Sequence, residues 1–264
     1  ALVGERTLAH VGRVLVVEDN PVNQEVAVAM LDGLGIAAST ASSGKEALQL
    51  LANGHYDAVL MDCQMPELDG YETTRLIRDW EQRDRRPRTS VFALTANALS
   101  GDREKCIAAG MDGYLGKPFT IEQLRALLET GAPGVALAVD PAASGPAEGV
   151  LDRRTVENIR AMRRNGSPDF LARLVALYAA NSRSLLRTLR EVSGFEDVTE
   201  LCHVAHALRS SSANVGALRL AELCRRLEAL AREGRFDEVR VVVDALTEEH
   251  AHVLQALEEQ QAAA

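Results

Sequence analysis

The sequence predicts two domains of different fold class: an α/β domain built on a doubly wound, five-stranded parallel sheet, then an all-α helical bundle. Three observations predict this. Over the first half, short β-branched apolar runs alternate with helical stretches, the pattern of a parallel sheet covered by helices. In the middle, Gly131-Ala-Pro-Gly134 and Asp140-Pro-Ala-Ala-Ser-Gly-Pro146 carry no periodicity and read as a linker. Beyond Leu151 strand signals vanish and helical periodicity runs almost to the end. The predicted boundaries are 11–130, 131–150 for the linker, and 151–262.

The elements follow in order. Arg13–Glu18 is a β-branched apolar strand, and Asn20-Pro21 then supplies a helix cap with proline in the first turn. Val22–Gly33 is the first helix, Gly35–Thr40 the second strand, Lys45–Ala52 the second helix and Tyr56–Asp62 the third strand. Leu68–Trp80 is helical and Arg83–Arg88 a charged turn. Ser90–Thr95 is the fourth strand, Asp102–Ala109 a helix, Gly113–Gly116 the fifth strand, and Thr120–Glu129 a closing helix capped by Thr120. The second half predicts helices over Leu151–Arg164, Pro168–Val192, Val198–Val215, Leu218–Arg232 and Phe236–Leu257. Their short connections make them antiparallel neighbours in a bundle.

Composition narrows the function. Apolar residues make up 47% of the 264 but aromatics only 4%, so Ala, Val and Leu fill the core. A net charge of −9, with no basic helix-turn-helix, argues against nucleic-acid binding. Cys63, Cys106, Cys202 and Cys224 lie far apart without metal spacing, which fits a reduced, cytoplasmic setting. No apolar run reaches the roughly 18–20 residues of a membrane span, and no signal peptide is visible. The chain begins at Ala1, so it is expected to be a piece of something longer, with no membrane contact of its own.

Doubly wound sheets gather functional residues beyond the carboxyl ends of their strands. Glu18 and Asp19 close the first strand, Asp62 the third, Thr95 the fourth and Lys117 the fifth. Carboxylates brought together repel unless a cation intervenes, and an oxygen-only set with few protein ligands suits Mg²⁺. A hydroxyl and an ammonium opposite them would neutralise phosphoryl oxygens. Taken singly, Asp19 is as readily a helix cap, Lys117-Pro118 a turn and Thr95 an ordinary strand residue. Their joint placement at strand ends favours a site.

Val16-Val-Glu-Asp-Asn-Pro-Val-Asn23, Met61-Asp-Cys-Gln-Met-Pro66, Thr95 and Lys117-Pro118 resemble a response-regulator receiver domain, in particular receivers fused to hybrid sensor kinases. The resemblance spans residues 12–130. It implies that Asp62 accepts the phosphoryl group. Glu18, Asp19 and the backbone carbonyl of Gln64 would join it in holding Mg²⁺, and Thr95 and Lys117 would bind the phosphoryl oxygens. Tyr114 matches the switch aromatic, and Lys117-Pro118 a bond that is often cis. Phosphatases of the haloacid-dehalogenase class also use an aspartate nucleophile, but their Asp-x-Asp-x-Thr is missing after the first strand.

On a helical projection at about 100° per residue, Leu201, Val204, Leu208 and Val215 form a core face. His206 points to the opposite side among Cys202, Ser210 and Ala213, with Arg209 one turn on. The expectation is an exposed, nucleophilic imidazole with a guanidinium near any phosphoryl group it carries. His10, His55, His250 and His252 read as ordinary solvated histidines. Ala205-His-Ala-Leu-Arg-Ser-Ser-Ser-Ala-Asn-Val-Gly216 and Leu220–Glu228 resemble a histidine phosphotransfer (HPt) domain, which implies a four-helix bundle with His206 as acceptor. Arg209 stands where the family usually has lysine, and Ser210 where it has glycine.

The combined expectation is a Mg²⁺-dependent phosphorelay. A kinase phosphohistidine, in the same or another chain, donates to Asp62; Asp62 donates to His206; His206 donates to a separate response regulator. No ATP-binding kinase core is recognisable, so the chain reads as the C-terminal part of a hybrid histidine kinase, and the cytoplasmic tail of a membrane-anchored sensor kinase is compatible with that reading. The alternative is a binding module whose HPt surface sequesters a non-relay enzyme.

Overall fold

The computed structural model describes residues 11–95, 102–130, 136–137, 149–162, 170–194 and 197–262. The chain divides into two compact units between residues 140 and 141.

The first unit is a parallel sheet in the order β2-β1-β3-β4-β5-β6, with β1 Arg13–Val17, β2 Ala37–Ala41, β3 Ala58–Asp62, β4 Ser90–Thr95, β5 Gly113–Gly116 and β6 Ala136–Leu137. The five predicted strands are present. The two-residue β6 is an addition, lying beside β5 inside the predicted linker; the rest of that linker, apart from Gly149 and Val150, lies outside the described residues. Side chains of β1, β3 and β4 are almost wholly buried, as a sheet covered on both faces requires.

Each helix start that positions the crevice is capped. α1 (Pro21–Gly33) begins at Asn20, whose side chain accepts from the Val22 amide at 3.0 Å, with Pro21 in the first turn. α2 (Gly44–Asn53) begins at Ser43, and α3 (Gly70–Arg83) at Asp69, which accepts from the Glu72 amide at 2.7 Å. Gly70 is required by proximity, since a Cβ there would sit 2.1 Å from the Asp62 carbonyl oxygen. The start of α3 is thereby pressed against the end of β3. α4 (Asp102–Ala109) and α5 (Ile121–Thr130) complete the set.

A buried ionic cluster ties α3 to the turn before β5. The Arg78 guanidinium meets Glu81 at 2.7 Å and Asp112 at 2.8 Å and donates to the carbonyls of Thr89 and Gly110. Asp112 also accepts from the Val91 amide. Every charge in it has a partner, the condition under which buried ions are tolerated.

The second unit holds α6 (Arg153–Ala161), α7 (Phe170–Val192), α8 (Val198–Asn214), α9 (Leu218–Arg232) and α10 (Phe236–Ala262). α7 packs on α8, α8 on α9, α9 on α10 and α10 on α7, a closed four-helix ring with α6 as an addition. α8 stops at Gly216, whose φ of +84° suits glycine. Its core carries polar groups: Tyr178 hydroxyl meets Ser212 at 3.0 Å, and Ser182 donates to the Tyr178 carbonyl while meeting His250 Nε2 at 2.8 Å. His250 is buried, which corrects its reading as solvated; α10 turns it toward α7, where Ser182 satisfies it. His55 and His252 are exposed as expected, and His10 lies outside the described residues.

Candidate phosphoryl-acceptor sites

The order β2-β1-β3 reverses the direction of winding at β1, and a crevice opens beyond the carboxyl ends of β1 and β3. Glu18 and Asp19 enter it directly after β1, and Asp62 as the last residue of β3. Their carboxylate oxygens lie within 4.8 Å of one another. Glu18 and Asp62 are buried and Asp19 is half-buried.

Lys117 answers this charge from the loop after β5. Its ammonium, itself buried, contacts Glu18 Oε2 at 2.5 Å and Asp62 Oδ2 at 2.8 Å. Its backbone amide donates to the Thr95 carbonyl at 2.7 Å, which sets the ends of β4 and the β5 loop side by side. The Lys117-Pro118 bond is cis. Thr95 is buried at its strand end. The Gln64 amide donates to Asp62 Oδ1 at 3.2 Å, while the Gln64 side chain is exposed. Tyr114 is buried, packed with Cys63, Met65 and Cys106.

Burial, then the neighbouring Asp62 charge, push the Glu18 carboxyl upward. Burial disfavours the Lys117 ammonium, but Asp62 and Glu18 outweigh it and raise that group above its ordinary range. The crevice is thus a charge-dense, water-poor set of three carboxylates and one cation. Its all-oxygen donors fit a small hard divalent ion such as Mg²⁺.

Asn23 is a contributor the sequence did not single out. One turn into α1, its amide donates to Glu18 Oε1 at 2.9 Å, orienting the carboxylate from behind. A buried asparagine on an otherwise apolar helix face was the available signal.

The histidine site differs from its expectation. His206 retains only 8% exposure and Ser210 only 4%, so the imidazole does not stand on an open face. The reason is that α8 packs against α7 on one side and α9 on the other, with Ala205, Ser211 and Ser212 small enough to bring the neighbours close. Arg209 also folds back on the ring, its Nη2 3.1 Å from His206 Nδ1. From α9, the buried Glu228 carboxylate pairs with Arg209 Nε at 3.3 Å and with Arg232 at 3.0 Å. Glu228 was not anticipated; 22 residues separate it from His206, and no periodicity within one helix links them. His203 is half-buried.

A response regulator receiver domain model matches residues 14–129, and an Hpt domain model residues 173–260. Hybrid signal transduction histidine kinase K of Dictyostelium discoideum is 45% identical over 121 residues, 44% of this chain and 10% of that protein. Sensor protein GacS of Pseudomonas syringae pv. syringae is 30% identical over 239 residues, 88% of this chain and 26% of its own length. The chain therefore spans from a tenth to about a quarter of these two relatives. A solved structure, the receiver domain of sensor histidine kinase PA1611 from Pseudomonas aeruginosa PAO1 with magnesium coordinated in its active site cleft, is 47% identical. That match covers 46% of this chain and 98% of the other, with a TM-score of 0.42.

Proposed function

Because residues 14–129 belong to the response regulator receiver domain family and residues 173–260 to the Hpt domain family, we propose that this chain is a phosphorelay module of a hybrid histidine kinase. The receiver runs over 11–130, the linker over 131–150 and the HPt domain over 151–262. The observation that carries the reading is the convergence of Glu18, Asp19, Asp62 and Lys117 at the strand ends, in a chain whose bundle also presents an imidazole beside a guanidinium.

Asp62 is the first acceptor. One carboxylate oxygen attacks phosphorus, the P–N bond to a kinase phosphohistidine breaks, and a P–O bond forms. Glu18, Asp19, Asp62 and the Gln64 carbonyl would hold Mg²⁺, which when bound would supply neutralisation of phosphoryl charge. Lys117 moves its hydrogen bond from Asp62 to the arriving phosphoryl oxygens, and the Thr95 hydroxyl donates to another. Tyr114 is the switch aromatic. His206 then takes the group from Asp62 and passes it to an aspartate of a downstream response regulator, with Arg209 and Ser210 beside it. Positioning and charge neutralisation supply most of the catalysis.

The proposed setting is cytoplasmic, a reading that the free cysteines Cys63, Cys106, Cys202 and Cys224 support. Among the described residues no helix is long and apolar enough to cross a membrane. A sequestering role toward a non-relay enzyme gains no support from the comparisons. Acetyl phosphate with Mg²⁺ tests the reading: it should add a phosphoryl group to Asp62, seen as an 80 Da mass increment on its peptide (about the mass of one phosphoryl group). Asp62→Asn should abolish the increment, and its persistence there would refute the assignment.

A further inference from the structure

We propose that Arg209 is a guard on His206, held in place by Glu228, and that it must leave the imidazole before the ring can accept a phosphoryl group. The inference rests on His206 being the second acceptor, and adds how that acceptor is controlled. A guanidinium offers only N–H donors. The 3.1 Å contact between Arg209 Nη2 and His206 Nδ1 therefore consumes a lone pair on Nδ1 and puts the proton of the neutral ring on Nε2. A neutral imidazole has one in-plane lone pair. While Arg209 holds it, neither nitrogen has a pair to offer phosphorus. The ring's 8% exposure agrees with a resting acceptor that is covered.

Glu228 sets the geometry. Its carboxylate is buried on α9 and approaches Arg209 Nε at 3.3 Å, so the guanidinium is directed from a neighbouring helix and not only by its own stem. Arg232, which is more exposed, holds the other oxygen of Glu228 at 3.0 Å. Opening the guard moves Arg209 from nitrogen to phosphoryl oxygen. The ring lone pair then forms the P–N bond, the P–O bond to Asp62 breaks, and Asp62 leaves as a carboxylate with the bonding pair. The ring proton stays on the other nitrogen until water removes it. Arg209 and Glu228 are positioning residues here, acting through the tautomer and access of His206.

The test uses the full chain and two readouts that do not depend on the relay. Long-range ¹H–¹⁵N spectra of the wild type should give His206 a proton on Nε2 and a bare Nδ1; a resting ring protonated on Nδ1 would overturn the proposal. Diethyl pyrocarbonate, which needs an imidazole lone pair, should modify His206 at least about fivefold faster in Arg209→Met, and to a smaller degree in Glu228→Gln (a fivefold rate change is about 1 kcal/mol). Equal rates in wild type and Arg209→Met would also overturn it. Failure of Asp62 to pass its group to His206 would instead sink the relay and leave both readouts standing.

Discussion

Replacing Lys117 with methionine probes the acidic crevice directly. The side chain keeps much of its length and loses its charge, so Glu18 and Asp62 face each other and Asp19 without the ammonium that now lies 2.5 and 2.8 Å away. At an effective dielectric constant of about 20, each contact at such range contributes roughly 6 kcal/mol before desolvation. Removing one member of a buried ion cluster costs about 3–5 kcal/mol, because the remaining charges are left uncompensated. A loss of about 3 kcal/mol is expected. Trp80, the single tryptophan of the chain, sits on α3 against Arg86 and reports unfolding of the first unit by its fluorescence. With a urea dependence of roughly 1.5 kcal/mol per molar, the midpoint should fall by about 2 M. Millimolar Mg²⁺ should raise the variant's midpoint more than the wild type's, since the ion takes the ammonium's place among the carboxylates. An unchanged midpoint, or an equal response to Mg²⁺ in both proteins, would refute the account of the crevice as a charge-balanced cation site.

Other perturbations test separate parts of the structure. Gly70→Ala drives a methyl group into the Asp62 carbonyl, and a loss of roughly 1–3 kcal/mol in the same fluorescence assay is expected; no loss would show that α3 does not press on β3. Arg78→Met takes the ion partner from the largely buried Glu81, while Asp112 keeps Arg88 at 2.8 Å, and should cost about 3 kcal/mol, whereas a value near zero would mark that cluster as surface-like. Burial first, then Arg183 and Arg190, hold His250 down at about 4, while Ser182 meets its ring and Tyr178 lies beside it. Its folded value lies below the unfolded one, so the unfolded chain binds the extra proton. This stability is whole above about pH 6.5 and is lost as pH falls toward 4. Urea unfolding followed by far-ultraviolet ellipticity should therefore give a second unit weaker by up to about 2 kcal/mol at pH 5 than at pH 7, and His250→Gln should remove that difference.

The parts legible in the sequence were those set by local chemistry. Ser90–Thr95, Asp102–Ala109, Gly113–Gly116 and Leu218–Arg232 form where the apolar pattern and its flanking signals place them. The acidic crevice was legible because topology alone sends every strand end to the same edge of the sheet. The second strand begins at Ala37 and not Gly35, because the amides of Gly35 and Ile36 are engaged by Asp32 and Leu31 in closing α1. α10 runs past Leu257 to Ala262, where no glycine or proline stops it. β6 is too short to leave a pattern in an Ala/Gly/Pro-rich stretch. The environments of His206 and His250 were misread for one physical reason. A helical projection assigns one buried face, while α8 is gripped by both α7 and α9 and α10 directs His250 onto Ser182 of α7. Glu228 belongs to the same class, a contact made between helices and invisible within either.

The relay order is tested most directly by following labelled phosphoryl groups from a donor histidine kinase core, with Mg²⁺, into the wild type, Asp62→Asn and His206→Gln. In the wild type, label should appear first as an alkali-labile acyl phosphate on Asp62 and then as an acid-labile phosphoramidate on His206. His206→Gln should hold label at Asp62, and Asp62→Asn should take up none. Label on His206 in the Asp62→Asn chain would contradict the account.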